Sequence, residues 1–311
     1  ERSILIRTSP TTFHVVFQKN TAPIQLLYKK SIDGGRTWTD GEGGTPGSSF
    51  VIDSPSATRQ GPNMAINAAG DIFLVWSDVT TTSKIYLRKR VGGVWSAMDS
   101  VTLSVTGKNL RNPAILIDKF QNIHVIAWNR TDSTLYHAYS LDNGSSWTVN
   151  PSAVTLDFQF TFGAGTLRLE RDAVNNLHVV TQRANNLSHL FAVFSAPGTW
   201  TWGVPDNLSF QHPDQLEDVF SAYDVSADYD DTAANRLDIV WVSQGAGGSE
   251  DRRTLYHGKI VGGVKSFVVL GQFTNVNFPQ VRARPSPGNL ARDAQGHLYC
   301  VINWSTLSGS I

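Results

Sequence analysis

Arginine recurs at one kind of place in this chain. Arg59 stands in "TRQGPNMAI", Arg111 in "LRNPAILI", and Arg282 and Arg284 in "VRARPSPGN"; Arg2 in "ERSILI" is a further case. Each lies near the head of an apolar run. A guanidinium presents a planar fork of donors that matches a carboxylate in a bidentate pair. Several of them converging on one place suit recognition of an acidic ligand. Taken singly, each arginine has another use, capping a strand or pairing with a carboxylate such as Asp118. The other reactive residue types offer less. Cys300 is the only cysteine, which excludes an internal disulfide and a Cys-based zinc site. Its alternating surroundings, "HLYCVINW", read as core. His14, His124 and His178 share one position of a repeated run, a structural repeat and not a metal cluster. His137 and His257 repeat in the same way within "TLYH". His189 and His212 remain as candidate bases for a lyase acting on a uronate. No phosphate-binding glycine loop, Ser-His-Asp order or basic nucleic-acid patch stands out. No cofactor is expected.

The elements that must position these residues are legible as repeats. One apolar run recurs as "FHVVF", "IFLVW", "IHVIAW", "LHVV", "LDIVW" and "LYCVINW", at intervals of roughly 50 to 60 residues. A turn of Gly, Asn, Asp or Gln precedes most of them, as in "NAAGD", "DKFQN", "DAVNN" and "DAQGH". Another apolar run lies before that turn and a third follows. A fourth opens with Trp38, Trp95, Trp147 or Trp200. "TLYH" occurs twice in the third run, and "VGGV" twice at the turn before the fourth. Four strands per unit, with no convincing amphipathic helix between units, predict an all-β fold, a β-propeller of four-stranded blades. The blades fall at about 1–54, 55–107, 108–157, 158–212 and 213–276, with a partial sixth over 277–311. The expectation is a single propeller domain over 1–311, alone or as part of a longer protein. The chain begins with Glu1 and not Met, as a processed form or an excised domain would.

Bulk composition agrees. The 311 residues carry 26 basic and 26 acidic side chains, so there is no global field to draw in nucleic acid or an anionic membrane. No apolar run approaches the ~18 residues of a spanning helix, so no membrane insertion is expected. Short runs of Val, Ile, Thr, Trp and Phe broken by Gly, Asn, Asp and Ser suit strands and turns. "NRT", "NGS", "NLS" (twice) and "NWS" fit glycosylation sequons, relevant only to a eukaryotic secreted chain.

Two octapeptides, "SIDGGRTW" at 31–38 and "SLDNGSSW" at 140–147, share Ser, Asp, Gly and Trp at the same positions. Both fall between the third and fourth strands of their units. Asp33 and Asp142 can accept from the backbone of their own loop, Gly35 and Gly144 can take positive φ, and Trp38 and Trp147 can pack between sheets. Blades two and five put "VGGV" there, keeping the glycines and losing the aspartate. This duplication reads as a structural part. The pattern S-x-D-x-G-x-x-W resembles the Asp-box, or bacterial neuraminidase repeat, of the sialidase superfamily. The resemblance implies a propeller with the boxes on its periphery, away from any active site. Propellers of that superfamily include sialidases, other glycosidases, lyases and non-catalytic binding proteins.

Blade three is the part most similar to a sialidase. Sialidases carry an arginine in a Phe/Tyr-Arg-Ile-Pro motif, then Glu-x-Arg, an aspartate and an Asp-box. Here the order is "LRNP" with Arg111, "AWNR" with Arg130, Asp132 and the second octapeptide. Leu110 and Asn112 depart from the motif, and Trp128 stands where the glutamate would be. The resemblance implies that Arg111 grips a sugar carboxylate and that Asp132 is a general acid/base. It further implies a tyrosine nucleophile activated by a glutamate, an exception among glycosidases; a neutral phenol avoids bringing an anion up to an anionic sugar. "QLEDVFSAYD" offers Tyr223 with Glu217. Two function classes stay open. One is a sialidase-like glycoside hydrolase of an acidic glycan. The other is a non-catalytic glycan-binding or adhesion propeller of a larger extracellular or virion protein, with Trp200 and Trp202 as sugar-stacking platforms. Both expect a glycan ligand and an extracellular, cell-surface or virion-surface location. The sequence does not fix the oligomeric state.

Overall fold

A computed structural model describes residues 3–19, 25–41, 44–53, 59–78, 84–101, 109–129, 134–150, 154–155, 167–183, 186–208, 222–230, 236–244, 252–274, 290–292 and 297–299. All regular structure among them is β, in antiparallel sheets that follow chain order. The chain divides into two compact units, Glu1–Leu156 and Asp157–Ile311.

The first unit holds three sheets. Strands β1 (Ser3–Arg7), β2 (Phe13–Lys19), β3 (Gln25–Ser31) and β4 (Phe50–Asp53) form the first. The second comprises β5 (Arg59–Ile66), β6 (Ile72–Asp78) and β7 (Lys84–Val91), with β8 (Val94–Trp95) and β9 (Asp99–Val101) both paired to β7. In the third, β10 (Leu110–Ile117), β11 (Ile123–Asn129) and β12 (Thr134–Ser140) are followed by β13 (Thr148–Val149) and β14 (Val154–Thr155), both on β12. The outer strand of a sheet is therefore interrupted, and the tryptophan before it is not always in it. Trp38 precedes only an isolated bridge, Thr39 to Lys30, and the fourth strand of the first sheet begins at Phe50.

The second unit repeats the plan. Strands β15 (Leu167–Arg171), β16 (Leu177–Arg183), β17 (Asn186–Ala196), β18 (Thr199–Trp202) and β19 (Asp206–Asn207) form one sheet. The next is β20 (Ala222–Asp230), β21 (Arg236–Gln244), β22 (Arg252–Val261) and β23 (Val264–Thr274). A last pair, β24 (Ala291–Arg292) and β25 (Leu298–Tyr299), forms a two-stranded sheet.

The continuous apolar runs are explained by packing on both faces. Along β6, Ile72, Leu74 and Trp76 meet Val16, Leu26, Tyr28 and Ile52 of the first sheet. The alternate residues Phe73 and Val75 meet Ile115, Ile117, Val125 and Ala138 of the third. A strand with period-two side chains and neighbours on both faces must be apolar throughout. Each such large side chain contributes roughly 1.5–3 kcal/mol by leaving water. Sheets of the second unit meet similarly: Val180 and Leu187 pack with Leu237, Ile239, Trp241 and Tyr256. Val240 and Leu255, on the other face, pack against Leu290 and Leu298.

Candidate functional site

Strand direction alternates along each sheet. The turn from first to second strand and the turn from third to fourth therefore share one end. The link from second to third strand and the entry into the first share the other. The octapeptides occupy the first of these ends. Ser31 Oγ donates to Asp33 Oδ1 at 2.8 Å and accepts from Gly35 N at 2.9 Å. Asp33 accepts from Thr37 N at 2.9 Å and Thr37 Oγ1 at 2.7 Å. The second octapeptide repeats this: Ser140 Oγ donates to Asp142 at 2.7 Å and accepts from Gly144 N at 2.8 Å, and Ser146 supplies both N–H and hydroxyl donors. Positive φ falls on Gly34 and Gly35 in one, and on Asn143 and Gly144 in the other. The donors from Thr37, then Ser31, hold Asp33 down to about 2, and those from Ser146 and Ser140 hold Asp142 below the usual carboxylate range. Both carboxylates are consumed by their own loops. "VGGV" forms two-residue hairpin turns, with Gly92, Gly93, Gly262 and Gly263 all at positive φ.

The turns before the second strands are built similarly. Asp118 accepts from Phe120 N and Asn122 N, each at 2.8 Å, and Asp172 accepts from Val174 N at 3.0 Å and Asn176 N at 2.7 Å. Behind them lies a repeated pair across the second and third strands. His124 Nδ1 meets His137 Nε2 at 3.0 Å, and His178 Nδ1 meets His189 Nε2 at 3.0 Å. His14 Nδ1 meets the Tyr28 hydroxyl at 2.6 Å, and Asp238 meets His257 at 2.7 Å. In the second sheet the same register positions hold Phe73 and Leu87. The equivalence of His14, His124 and His178 is thus one of packing. His189 is buried and pushed down to about 3 by desolvation, then by His178. It belongs to the core pair and is not placed as a lyase base; His212 lies outside the described residues. Among the described residues, no group of three or more His, Cys, Asp or Glu side chains could hold a metal ion. No helix among them is long and apolar enough to cross a membrane.

Arg59, Arg111 and Tyr223 occupy the opposite end of their sheets. Arg59 opens β5 opposite Asp78. Arg111 is the second residue of β10, opposite Trp128, and Tyr223 is the second of β20, opposite Val242. The register then shifts in all three strands, between Gln60 and Asn63, Arg111 and Ala114, and Tyr223 and Val225. In the first two, a positive-φ residue followed by proline makes the shift, Gly61–Pro62 and Asn112–Pro113. Leu110, not Arg111, holds the position equivalent to Arg59, so the two arginines stand one residue out of step.

Arg111 is half-buried. Its Nε donates to Asn109 Oδ1 at 2.9 Å, and Asn109 N donates to Asn129 Oδ1 at 2.9 Å. Asn129, the sequon residue of "NRT", is fully buried in this role. Trp128 is buried as well. Arg130, Asp132, Glu217, Arg282 and Arg284 lie outside the described residues, as do Arg2 and Cys300, and for Arg59 and Tyr223 only the backbone is described. Of the expected sugar platforms, Trp200 is core: it packs on Phe194 and donates from Nε1 to Asn175 O at 3.3 Å. Trp202 is half-buried.

Asn109 and a carboxyl pair carry no motif in the sequence, and Asn129 shows there only as the residue of a sequon. Glu170 on β15 and Asp228 on β20 hold equivalent register positions, opposite His178 and Asp238. Burial, then Asp228, raises Glu170 to about 8 against the pull of Arg168 and Arg171. The available signal was an acid set within the alternating strand "LRLER".

No sequence-family model matches the chain, and no curated protein sequence matches it. Solved structures do match in fold. The NanB sialidase of Streptococcus pneumoniae superposes with a TM-score of 0.64 at 9% identity, over 98% of this chain and 65% of that one. An intramolecular trans-sialidase of Ruminococcus gnavus gives 0.61 at 11% identity, over 96% of this chain and 88% of its own. The leech intramolecular trans-sialidase gives 0.60 at 13% identity, over 95% and 63%. The chain thus spans just under two thirds of two of these proteins, and it shares with all three an all-β fold of successive antiparallel sheets.

Proposed function

We propose that the chain is a β-propeller of about six blades whose octapeptides are Asp-boxes, and that it recognises an acidic glycan. Arg111 carries the reading. It is a half-buried arginine at the head of a first strand, on the end of the sheet opposite the octapeptides, and its Nε is held by a neutral amide. A guanidinium fixed in this way suits a sugar carboxylate. The fold shared with sialidases supports the same ligand class by analogy. In the hydrolase form of the reading, Asp132 is the general acid/base and Tyr223, with Glu217, the nucleophile. Arg59, Arg130, Arg282 and Arg284 assist in binding. A specific observation favours the non-catalytic form: the place of the family glutamate is held by Trp128, which is buried and cannot act as an acid or base near neutral pH. An extracellular, cell-surface or virion-surface setting fits either form.

Hydrolysis of a fluorogenic sialic-acid glycoside separates them. Turnover by the wild type that is lost in both Arg111→Ala and Tyr223→Phe supports the hydrolase. Binding of sialylated glycans that needs Arg111, without turnover, supports the binding propeller. Wild type that neither cleaves nor binds an acidic glycan sinks both.

A further inference from the structure

We propose that the outer edge of β23 is an interaction surface that pairs, antiparallel, with β23 of a second copy of this chain. The outer strands of the preceding sheets are short. β4 has four residues, and in the next three sheets the outer strand is two pieces of two to four residues each. β23 runs eleven residues, Val264–Thr274, and is the last strand of its sheet. Among the described residues, no strand pairs with its other side. A long edge presents a row of N–H and C=O groups, and short or broken edge strands are a common protection against pairing with another chain. The repeated "VGGV" turn opens both kinds of outer strand. In the second sheet Val94 and Trp95 follow the glycines, Ser96 Oγ then accepts from Lys89 N at 3.1 Å, and the strand stops. In the fifth, the equivalent Ser266 stays in the ladder opposite Lys259, and Phe267, Val268 and Val269 continue it. Aromatic and β-branched residues favour the extended backbone. Pairing with β22 is unbroken from Val264 to Val269, before the register shift beside Leu270.

The side chains are as open as the edge. Val268 is 53% exposed and Val269 41%, and consecutive residues of a strand point to opposite faces, so the edge is uncovered on both. Val264 and Leu270 are exposed as well. Charge selects a second copy as the partner. From Ser266 to Thr274 the strand has no charged residue, and its one charge, Lys265, is paired with Asp206 of β19. Two such strands related by a two-fold axis oppose no unpaired like charges, and apolar side chains meet apolar side chains. Antiparallel strands exchange N–H and C=O bonds in both directions, and a two-fold pair closes on itself, so assembly stops at a dimer.

The test measures the mass of the full chain by sedimentation equilibrium over a range of micromolar concentrations. The wild type should approach twice the chain mass as concentration rises. Val268→Lys places two ammonium groups on facing strands and should raise the dimer dissociation constant about tenfold or more, the scale of a like-charge contact. Val94→Lys, at the equally exposed valine of the second sheet, should leave the constant unchanged. Thermal midpoints measured in parallel separate lost pairing from lost folding, and Ser266→Lys, at another exposed position of the edge, replaces Val268→Lys if that variant does not fold. Amide hydrogen exchange reads the edge itself: exchange across Val264–Val269 should slow as the dimer forms. A wild type that stays monomeric over the range overturns the proposal. So does a dimer that survives the edge substitution, or one whose β23 amides exchange as fast as in the monomer.

Discussion

Gly144 shows how tightly one residue of an octapeptide is bound to its setting. Its φ is 77, and an added Cβ would stand 3.3 Å from Leu87 and 3.4 Å from Ile123. Gly35, its counterpart, has φ 89 but meets only Trp38 at 3.9 Å. The left-handed backbone alone costs a non-glycine residue about 1–2 kcal/mol. Gly35→Ala should therefore lose about that much in denaturant unfolding, and Gly144→Ala clearly more, because it must also displace the core of the second and third sheets. Equal losses would mean that the contact to Leu87 is slack. Asp142 is a second case. Its folded pKa lies below its unfolded value, so its contribution is present above about pH 4 and is lost as pH falls through the folded value. Asp142→Asn should lower the thermal midpoint at pH 7 and converge with the wild type in acid; a constant offset at every pH would show that the charge is not what the loop uses. Both octapeptides were legible because their chemistry is local, each side chain bonding within a few residues. Arg111 was legible as a type of residue. Its hydrogen bond to Asn109, itself bonded to Asn129, was not, because Asn129 lies twenty residues from Asn109 and meets it only through the β10–β11 register.

At the scale of the sheet, the buried pair across second and third strands is one position filled in four ways over five sheets. The sequence exposed three of its histidines through their shared place in the repeated run. It could not expose Tyr28, His137 and His189 as their partners, or His257 as the partner of Asp238, since that pairing is diagonal and depends on register. The fully apolar Phe73 and Leu87 show that the position does not require polarity. Burial pushes His14 down to about 4 and His189 to about 3, and lowers His124 and His137. These are bases with folded values below the unfolded one. Their contribution is complete above about pH 6.5 and drains away as pH falls toward the folded values. Replacing one pair by the apolar version, His178→Phe with His189→Leu, leaves Asp172 its backbone and Asn176 donors. That variant should retain, on the order of a few kcal/mol, stability that the wild type loses between pH 6.5 and 4. Parallel loss in both, followed by urea unfolding across that range, would rule His189 out as the acid-sensitive element.

Over the whole molecule these groups set opposite limits on stability. The octapeptide aspartates and buried histidines act on the acid side. Glu170 acts on the alkaline side, because burial and Asp228 raise it from 4.5 to about 8. An acid raised on folding stabilises most below its unfolded value, and that contribution declines as pH climbs from about 4.5 through 8. Glu170→Gln keeps the size and removes the proton. It should match the wild type near pH 5 and exceed it at pH 8 to 9, in a thermal scan across pH, and a uniform shift would mean that Glu170 is ionised throughout. This prediction belongs to the whole chain because its cause spans two sheets. Strand β15 supplies Glu170 and β20 supplies Asp228, more than fifty residues later. Repeats, strand order and turn chemistry were open to sequence reasoning, because each is written within one unit of about fifty residues. What faces what between neighbouring sheets of one compact unit is decided by how those sheets stack. There one register position serves apolar, histidine and carboxyl side chains alike: it is plain core in the second sheet, a histidine pair in the fourth and an aspartate–histidine pair in the fifth.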